Sequence, residues 1–396
     1  MKQQEGAARN TARRRGLVAL GALALMGGGS AFVYSQLRKP EPDAIRIGVG
    51  QPLSGPLALM GGDLLNGAML AAEQINAAGG VKVGPRSLRI EVVAADDSSD
   101  PEHGKRAAAE LVRAGVLAAI AHLNSGVSIA AAPVYAQAGI PQLAISTKPD
   151  YTRLGLATTL RLVANDDVQA KAMAEFARTE LHAQRFAMLD DGSPFGRNLM
   201  DAATQALPSG EAAPLRLSVD DRTTEFSAVA RKLAEAKVDV LLTSVSDFQV
   251  EALTKQLSAA GLKNLPIVGG DNSKTPLLEK AEVEGRPIYA STPIIDVSEA
   301  QGGKTFLKAF KARFGGAPYY GAHYAYDAVH LIASALTRNA SLDRAELLER
   351  LKTFEGDAPV TSYLRFGPDG EQRSAAVGIY RLYKGEWDLQ MRASSW

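Results

Sequence analysis

Small hydroxyl side chains follow two apolar runs of the sequence, at the point where each run ends. Ser125 stands in "AAIAHLNSGVS", and Ser146 and Thr147 stand in "PQLAISTKPDYT". Hydroxyls and free backbone N–H groups at helix starts suit a carboxylate, which accepts several hydrogen bonds and is stabilised by the helix dipole. These residues therefore predict a carboxylate-binding site. The alternative that each hydroxyl is only a helix N-cap stays open, because Ser and Thr favour that position.

An acidic residue follows another apolar run in the second half of the chain. The stretch "PIVGGDNSK" places Asp271 after two glycines, which let the backbone approach a bound molecule closely. A carboxylate at this position would hold an ammonium group. Carboxylate donors on one side and an ammonium acceptor on the other fit a zwitterionic α-amino acid. A capping role for Asp271 stays open as well.

The residue constellations of common hydrolases and metalloenzymes are missing from the sequence. There is no cysteine, and none of the five histidines forms an HExxH motif or pairs with another at metal-ligand spacing. Ser125 lacks both glycines of the Gly-x-Ser-x-Gly nucleophile elbow. Three carboxylate pairs follow apolar runs and are interpreted as solvated turns: Asp96-Asp97, Asp166-Asp167 and Asp190-Asp191. We therefore expect a recognition site without catalysis, metal or cofactor.

The elements that must position these residues alternate along the chain. From Ile45, apolar runs such as "IRIGVG" and "VLAAIAH" are each followed by a helical pattern, and the rhythm repeats in "RFAMLDD", "VDVLLTSV" and "LPIVGGD". This pattern predicts an α/β fold of two doubly wound parallel sheets, with ligand crevices at the carboxyl ends of the strands. The glycines of "IRIGVGQPLSG" lack the spacing of a dinucleotide fingerprint and the ending of a P-loop, so no nucleotide is implied.

The sequence also predicts two lobes joined by crossing strands. The extended stretch 156–167 ends one unit and opens the next, so a cleft between the lobes is expected to close by hinge motion. We assign residues 44–163 with 292–364 to lobe 1, and residues 164–291 with 365–396 to lobe 2.

The first 39 residues are typical of an export signal. Arg13-Arg14-Arg15 precede the apolar run "GLVALGALALMGGGSAFVY", and the pair Arg14-Arg15 resembles a twin-arginine signal. We expect a cleaved signal or an N-terminal anchor, with the folded part in the periplasm. Residues 40–396 carry 37 basic and 42 acidic residues, a net charge of about −5, which argues against a nucleic-acid partner.

Several motifs together resemble the extracytoplasmic substrate-binding proteins of branched-chain amino acid ABC transporters, the Leu/Ile/Val-binding-protein-like family with the type I periplasmic-binding fold. The resemblance covers nearly all of 44–390, and it lies in the motifs "PLSGPLALMGGDLLNGAMLAAEQINAAGGV", "DDSSDP", "AHLNSGVS", "YAQAGIPQLAIST" and "AYDAVHLIASAL". It implies a monomeric receptor that closes around a branched-chain or aliphatic amino acid, or a related compound, and presents it to an ABC permease in the inner membrane. A ligand-sensing regulatory module on the same fold, without a transporter, remains the alternative.

The resemblance also implies roles for individual residues. Ser125 and Thr147 match the family's hydroxyls that hold the ligand carboxylate, and Asp271 in "GGDN" matches the acidic residue that holds the α-ammonium. Phe195 in "DDGSPFGRN" matches an aromatic residue that lines the pocket from the second lobe, and Met60 stands where the first cleft loop often has an aromatic residue. Three further residues complete the predicted ligand site: Ser146, Asp247 and Tyr320.

Overall fold

The computed structural model describes residues 43–208, 213–281 and 285–394, in which strands and helices alternate. The strands are β1 (Ala44–Gln51), β2 (Val81–Val83), β3 (Arg86–Asp96), β4 (Ala118–Ala121), β5 (Gln142–Ala144), β6 (Thr159–Arg161), β7 (Phe186–Asp190), β8 (Leu215–Ser218), β9 (Val240–Thr243), β10 (Ile267–Gly269), β11 (Ile288–Thr292), β12 (Glu355–Ala358), β13 (Ser362–Arg365), β14 (Ala376–Tyr383) and β15 (Glu386–Ser394).

The helices are α1 (Ala58–Ala77), α2 (Pro101–Arg113), α3 (Ser125–Gln137), α4 (Asp166–Thr179), α5 (Pro194–Ala206), α6 (Ser227–Ala236), α7 (Asp247–Ala259), α8 (Pro276–Lys280), α9 (Gly303–Phe314), α10 (Ala322–Asn339) and α11 (Arg344–Lys352). Short 3-10 helices cover Pro149–Leu154, Asp271–Ser273 and Val297–Glu299.

The first sheet has the strand order β2-β3-β1-β4-β5-β6. Strand β4 lies parallel to both β1 and β5, and β5 lies parallel to β6. Because parallel strands end at the same edge of a sheet, the residues that follow β4, β5 and β6 meet there. The hydroxyls after β4 and β5 and the first turn of α4 are placed at this edge.

The second sheet has the strand order β15-β14-β11-β10-β9-β7-β8. Strands β7 to β11 pair in parallel, whereas β14 pairs antiparallel with both β11 and β15. In the first sheet, β2 and β3 are antiparallel as well. The prediction of an α/β fold with two sheets is confirmed, and the expectation of wholly parallel sheets is corrected at these edges. The two-residue turn Lys384-Gly385, with φ of 51° and 80°, allows only an antiparallel hairpin.

Close packing of two helices supports the first sheet. Helix α10 packs against α1, and their buried side chains share a core with strands β1, β4 and β5. A Cβ atom on Gly67 would lie 1.9 Å from the carbonyl oxygen of Ala322, so this approach requires glycine. The chain therefore returns from β11 in the second sheet to helices that cover the first sheet, before β14 rejoins the second.

Among the residues that the structure describes, those from Ile45 onward form one compact unit. The predicted export signal or anchor, residues 1–39, lies outside the described residues. Within the described ranges, no helix combines the length and apolar character needed to cross a membrane.

Candidate functional site

The start of helix α3 presents unused hydrogen-bond donors at the edge of the first sheet. Asn124 is the N-cap residue of α3, yet its side chain makes no capping hydrogen bond. The N–H of Lys148 donates to Ser125 Oγ at 3.2 Å, which leaves the hydroxyl proton of Ser125 able to donate to another group. The first turn of α3 and Ser125 together form a site suited to an anion.

Thr147 is bound to the first residue of α4 through both its backbone and its side chain. The N–H of Asp166 donates to the Thr147 carbonyl at 3.0 Å, and the Thr147 hydroxyl hydrogen-bonds the Asp166 carboxylate. Ser146 is 2% exposed, and its Oγ has no hydrogen-bond partner in the part of the chain that the structure describes. Thr147 therefore lies between the anion site at α3 and a carboxylate at α4.

The three principal candidates are not helix N-caps. The N-cap positions next to Ser125, Thr147 and Asp271 are taken by Asn124, Lys148 and Gly270. The capping alternative for Ser125, Thr147 and Asp271 is therefore excluded.

A buried arginine holds the segment that carries Thr147. The Arg161 side chain is fully buried, and its Nη1 and Nη2 donate to the carbonyls of Ser146 and Lys148, the second at 2.7 Å. Its Nε lies 3.0 Å from Oε2 of Glu371, a residue 210 positions further along the chain. This network fixes the backbone beneath the hydroxyl cluster, and sequence reasoning missed it.

Helix α4 is linked to the segment that carries Asp271. Gln169 Nε2 donates to Ser291 Oγ at 3.0 Å, and Ser291 Oγ donates to the carbonyl of Gly269 at 3.0 Å, two residues before Asp271. Burial raises the pKa of Asp271 above its ordinary value, which marks a carboxylate that lacks a full counter-charge.

Tyr320 faces Asp271 from the loop that precedes α10. Asp63 on α1 fixes this loop, because its carboxylate accepts the N–H groups of Tyr319, Tyr320, Gly321 and Ala322 at 2.8–2.9 Å. Burial raises the pKa of the Tyr320 phenol, and the negative charge of Asp271 raises it further. Tyr320 directly precedes the helix that covers the first sheet. Its side chain thus lies near the end of β10, a strand of the second sheet.

The interpretation of the carboxylate pairs as solvated turns is wrong for four of their members. Asp97, Asp166, Asp190 and Asp191 are between 0% and 8% exposed. The strand ends of an α/β fold are covered by the loops of neighbouring strands, so a carboxylate placed there is buried with partners. Asp97, for example, lies 2.7 Å from His122 Nδ1.

Phe195, Met60 and Asp247 occupy helix starts. Phe195 is the second residue of α5 and packs, partly buried, against the core beside the second sheet. Met60 lies in the first turn of α1 and is partly exposed. Asp247 begins α7, and its carboxylate accepts from Thr275 Oγ1 at 2.8 Å and from the N–H of Phe248 at 2.7 Å. Their roles toward a ligand remain predictions.

The site as a whole offers donors for an anion at one end and acceptors for a cation at the other. Within the ranges that the structure describes, no group of His, Cys, Asp or Glu residues is arranged to hold a metal ion. The arrangement can bind a small polar molecule with separated charges.

A profile of the periplasmic binding protein family matches residues 44–386. The chain belongs to this family. The prediction of the family is confirmed, and the protein is a non-catalytic substrate-binding protein. This periplasmic binding protein is 29% identical over 349 residues to Leu/Ile/Val-binding protein homolog 1 of Brucella abortus (strain 2308). The match covers 86% of this chain and 91% of that protein.

Solved structures share the fold of this periplasmic binding protein. The branched-chain amino acid transporter substrate-binding protein LivJ from Streptococcus pneumoniae, in complex with isoleucine, superimposes with a TM-score of 0.73 at 24% identity, covering 89% of this chain and 99% of that one. A solute-binding protein of an ABC transporter from R. palustris, in complex with benzoate, gives a TM-score of 0.70 at 19% identity, covering 89% and 97%. Proteins of this fold therefore bind ligands with and without an ammonium group.

Proposed function

We propose that this periplasmic binding protein is the substrate-binding component of an ABC importer, and that its ligand is a small α-amino acid with a branched or aliphatic side chain. The observation that carries the proposal is the charge arrangement of the cleft. Ser125 and the uncapped start of α3 supply donors for a carboxylate, and Asp271 supplies an acceptor for an ammonium group. The similarity to a Leu/Ile/Val-binding protein homolog supports an aliphatic side chain.

The ligand would bridge two lobes and favour their closed arrangement. In the proposed division, residues 44–163 with 292–364 form lobe 1, and 164–291 with 365–396 form lobe 2. Lobe 1 supplies Ser125, Thr147 and Tyr320, and lobe 2 supplies Asp271. A ligand that contacts both sets binds the closed form more tightly than the open form, and this differential affinity drives closure.

The proposed physiological setting follows from the family. Residues 1–39 export the chain to the periplasm, where it acts as a monomer and delivers its ligand to an ABC permease in the inner membrane. Stimulation of a reconstituted permease's ATPase activity by the liganded protein tests the transport role. A liganded protein that fails to stimulate its cognate permease would favour the ligand-sensing alternative.

An aromatic carboxylate is the second candidate, because a protein of the same fold binds benzoate. Benzoate has a carboxylate for the donors at α3 but no positive charge for Asp271. Burying Asp271 beneath an uncharged ring would cost free energy, since a desolvated carboxylate needs a counter-charge or a proton. The cleft therefore favours the amino acid.

Isothermal titration calorimetry with four compounds tests the ligand class. Leucine carries both charges, 4-methylpentanoate lacks the ammonium, leucinamide lacks the carboxylate, and benzoate lacks the ammonium and the aliphatic chain. We expect leucine to bind most tightly, and at 100 times its Kd it should add about 2.7 kcal/mol to the free energy of unfolding. Tighter binding of benzoate or 4-methylpentanoate than of leucine would overturn the amino-acid assignment.

Asp271→Asn tests the ammonium site directly. The substitution keeps the shape of the side chain but removes the charge partner, so leucine affinity should fall by about 2–5 kcal/mol. Asp221→Asn is the control, because Asp221 has a side chain that is 65% exposed. Equal leucine affinities in the two variants would exclude Asp271 from the site.

A further inference from the structure

A second carboxylate lies at the ammonium end of the cleft, beyond the one that the amino-acid site requires. Asp166 is 5% exposed, and its Oδ1 has no hydrogen-bond partner among residues 43–208, 213–281 and 285–394. The Thr147 hydroxyl hydrogen-bonds the carboxylate. A buried carboxylate oxygen without a donor costs free energy, so the site is built for a donor that arrives with the ligand.

One helix links this carboxylate to the segment that carries Asp271. Asp166 begins α4, and Gln169, one turn later, donates to Ser291 Oγ at 3.0 Å, which in turn donates to the backbone carbonyl two residues before Asp271. The charge of Asp271 acts on both Asp166 and Tyr320, which lies in the loop before α10. Asp166 and Asp271 therefore lie close to each other, on segments that Gln169 and Ser291 connect.

The charged groups around Asp166 leave it short of positive charge. Asp271 faces it from the turn after β10, and Asp167 is its neighbour on α4, so both act against its ionisation. Arg161 faces it from β6, but the guanidinium is already paired with Glu371. A cationic group of the ligand is therefore the missing partner of the two carboxylates.

We propose that Asp166 is a second ligand-binding carboxylate, and that the ligand ammonium binds between Asp166 and Asp271. This inference rests on the proposed function and deepens it. The ammonium keeps its own protons, and any proton that the Asp166 carboxyl group holds in the free protein passes to the solvent. The pair makes the site selective for primary amines over uncharged analogues.

The proposal fixes the sign of a pH dependence. Burial and the charge of Asp271 raise the pKa of Asp166 to about 6 in the free protein, and a bound ammonium would lower it. Leucine binding then releases protons near pH 6, so leucine affinity should rise between about pH 5 and pH 7 and level off above. A deaminated acid brings no positive charge, so 4-methylpentanoate should lose affinity over the same range.

Calorimetry in buffers with different ionisation enthalpies measures the protons released on binding. For the wild-type chain with leucine, we expect about half a proton released at pH 6 and almost none at pH 8. Asp166→Asn should abolish the release at pH 6 and weaken leucine binding at pH 7.5 by about tenfold or more. Asp221→Asn is the control, because its side chain is 65% exposed and Asp221 is not among the groups that shift the pKa of Asp166, and it should keep both properties.

The outcomes separate this inference from the proposed function. Leucine binding by the wild type without proton release at pH 6, or an Asp166→Asn variant with wild-type affinity and release, overturns the role of Asp166 alone. Absence of leucine binding by the wild type at every pH overturns the proposed function and the inference with it. If Asp166→Asn fails to fold, leucine binding by the wild type without proton release at pH 6 still overturns the role of Asp166.

Discussion

Replacing Glu371 by Gln removes the negative charge that faces the buried guanidinium of Arg161. The Arg161 side chain is 0% exposed and that of Glu371 is 12% exposed, with Arg161 Nε 3.2 Å from Oε1 and 3.0 Å from Oε2. Removal of one partner from a buried pair costs about 3–5 kcal/mol, because the remaining charge has lost its compensation. Gln retains an oxygen that can accept from Thr152 Oγ1, so we expect a loss of about 3 kcal/mol.

Urea denaturation monitored by circular dichroism measures this loss as a lower midpoint at unchanged slope. The control is Asp167→Asn, which breaks the Arg153–Asp167 pair at 2.7 Å, where the side chains are 65% and 47% exposed. An exposed pair contributes about 0–1 kcal/mol, so the control should stay close to the wild type.

The comparison tests whether burial, and not the number of ion pairs, determines the cost. A Glu371→Gln variant no less stable than Asp167→Asn would refute the reasoning. A double variant, Arg161→Met with Glu371→Leu, extends the test. It removes both charges from the interior, and it should be more stable than Glu371→Gln alone.

Four further substitutions test the site and the packing. Ser125→Ala should weaken leucine binding by about 1.5–3 kcal/mol in calorimetry, because the hydroxyl proton is free for the ligand. This loss should exceed the decrease in the free energy of unfolding. A larger decrease in stability than in leucine affinity would contradict a ligand role. Burial lowers the pKa of His323 to about 4, so the neutral side chain contributes its full stability above pH 6.5. Up to about 3 kcal/mol of the free energy of unfolding is lost as the pH falls toward 4. His323→Leu should therefore reduce the difference between urea midpoints at pH 7 and pH 4.5, and an unchanged difference would exclude His323 as its source. Gly67→Ala should destabilise the protein by about 1–3 kcal/mol, because the added Cβ atom would collide with the carbonyl of Ala322. Gly62→Ala places its Cβ atom in open space and should stabilise the protein by about 0.5–1 kcal/mol. Similar urea midpoints for the two variants would contradict the packing argument.

Local pattern was sufficient to place Ser125, Thr147 and Asp271 just after strand ends, while their roles toward a ligand remain predictions. Each follows an apolar run, and in a βαβ arrangement the residue after a parallel strand faces the crevice at the carboxyl edge of the sheet. The periodicity of the runs also predicted two α/β sheets. The sequence analysis did not predict the hairpin at Lys384-Gly385. Both residues have positive φ, and a two-residue turn of this kind joins antiparallel strands.

Other features depend on residues that are far apart in the sequence. The sequence predicts a solvated turn at Asp166 because the residue follows an apolar run, and its burial arises only once Asp271 and the segment 146–148 lie near it. The pairing of Arg161 with Glu371 spans 210 positions. No spacing rule within one element predicts such a contact, since it exists only in the folded chain.

Thr147 shows why the two ends of the site are not independent. Its hydroxyl hydrogen-bonds the Asp166 carboxylate and lowers the pKa of that group, while the N–H of the next residue, Lys148, donates to Ser125 Oγ at 3.2 Å. A ligand carboxylate that draws the Ser125 hydroxyl toward itself acts on the same short segment that positions Thr147 against Asp166. Because Arg161 holds that segment through the carbonyl of Lys148 at 2.7 Å, a shift on the anion side is transmitted to the carboxylate on the cation side. In the proposed amino-acid complex, recognition of the two ligand charges would therefore be coupled through the backbone, and an analogue that lacks either charge should lose part of the affinity for the other.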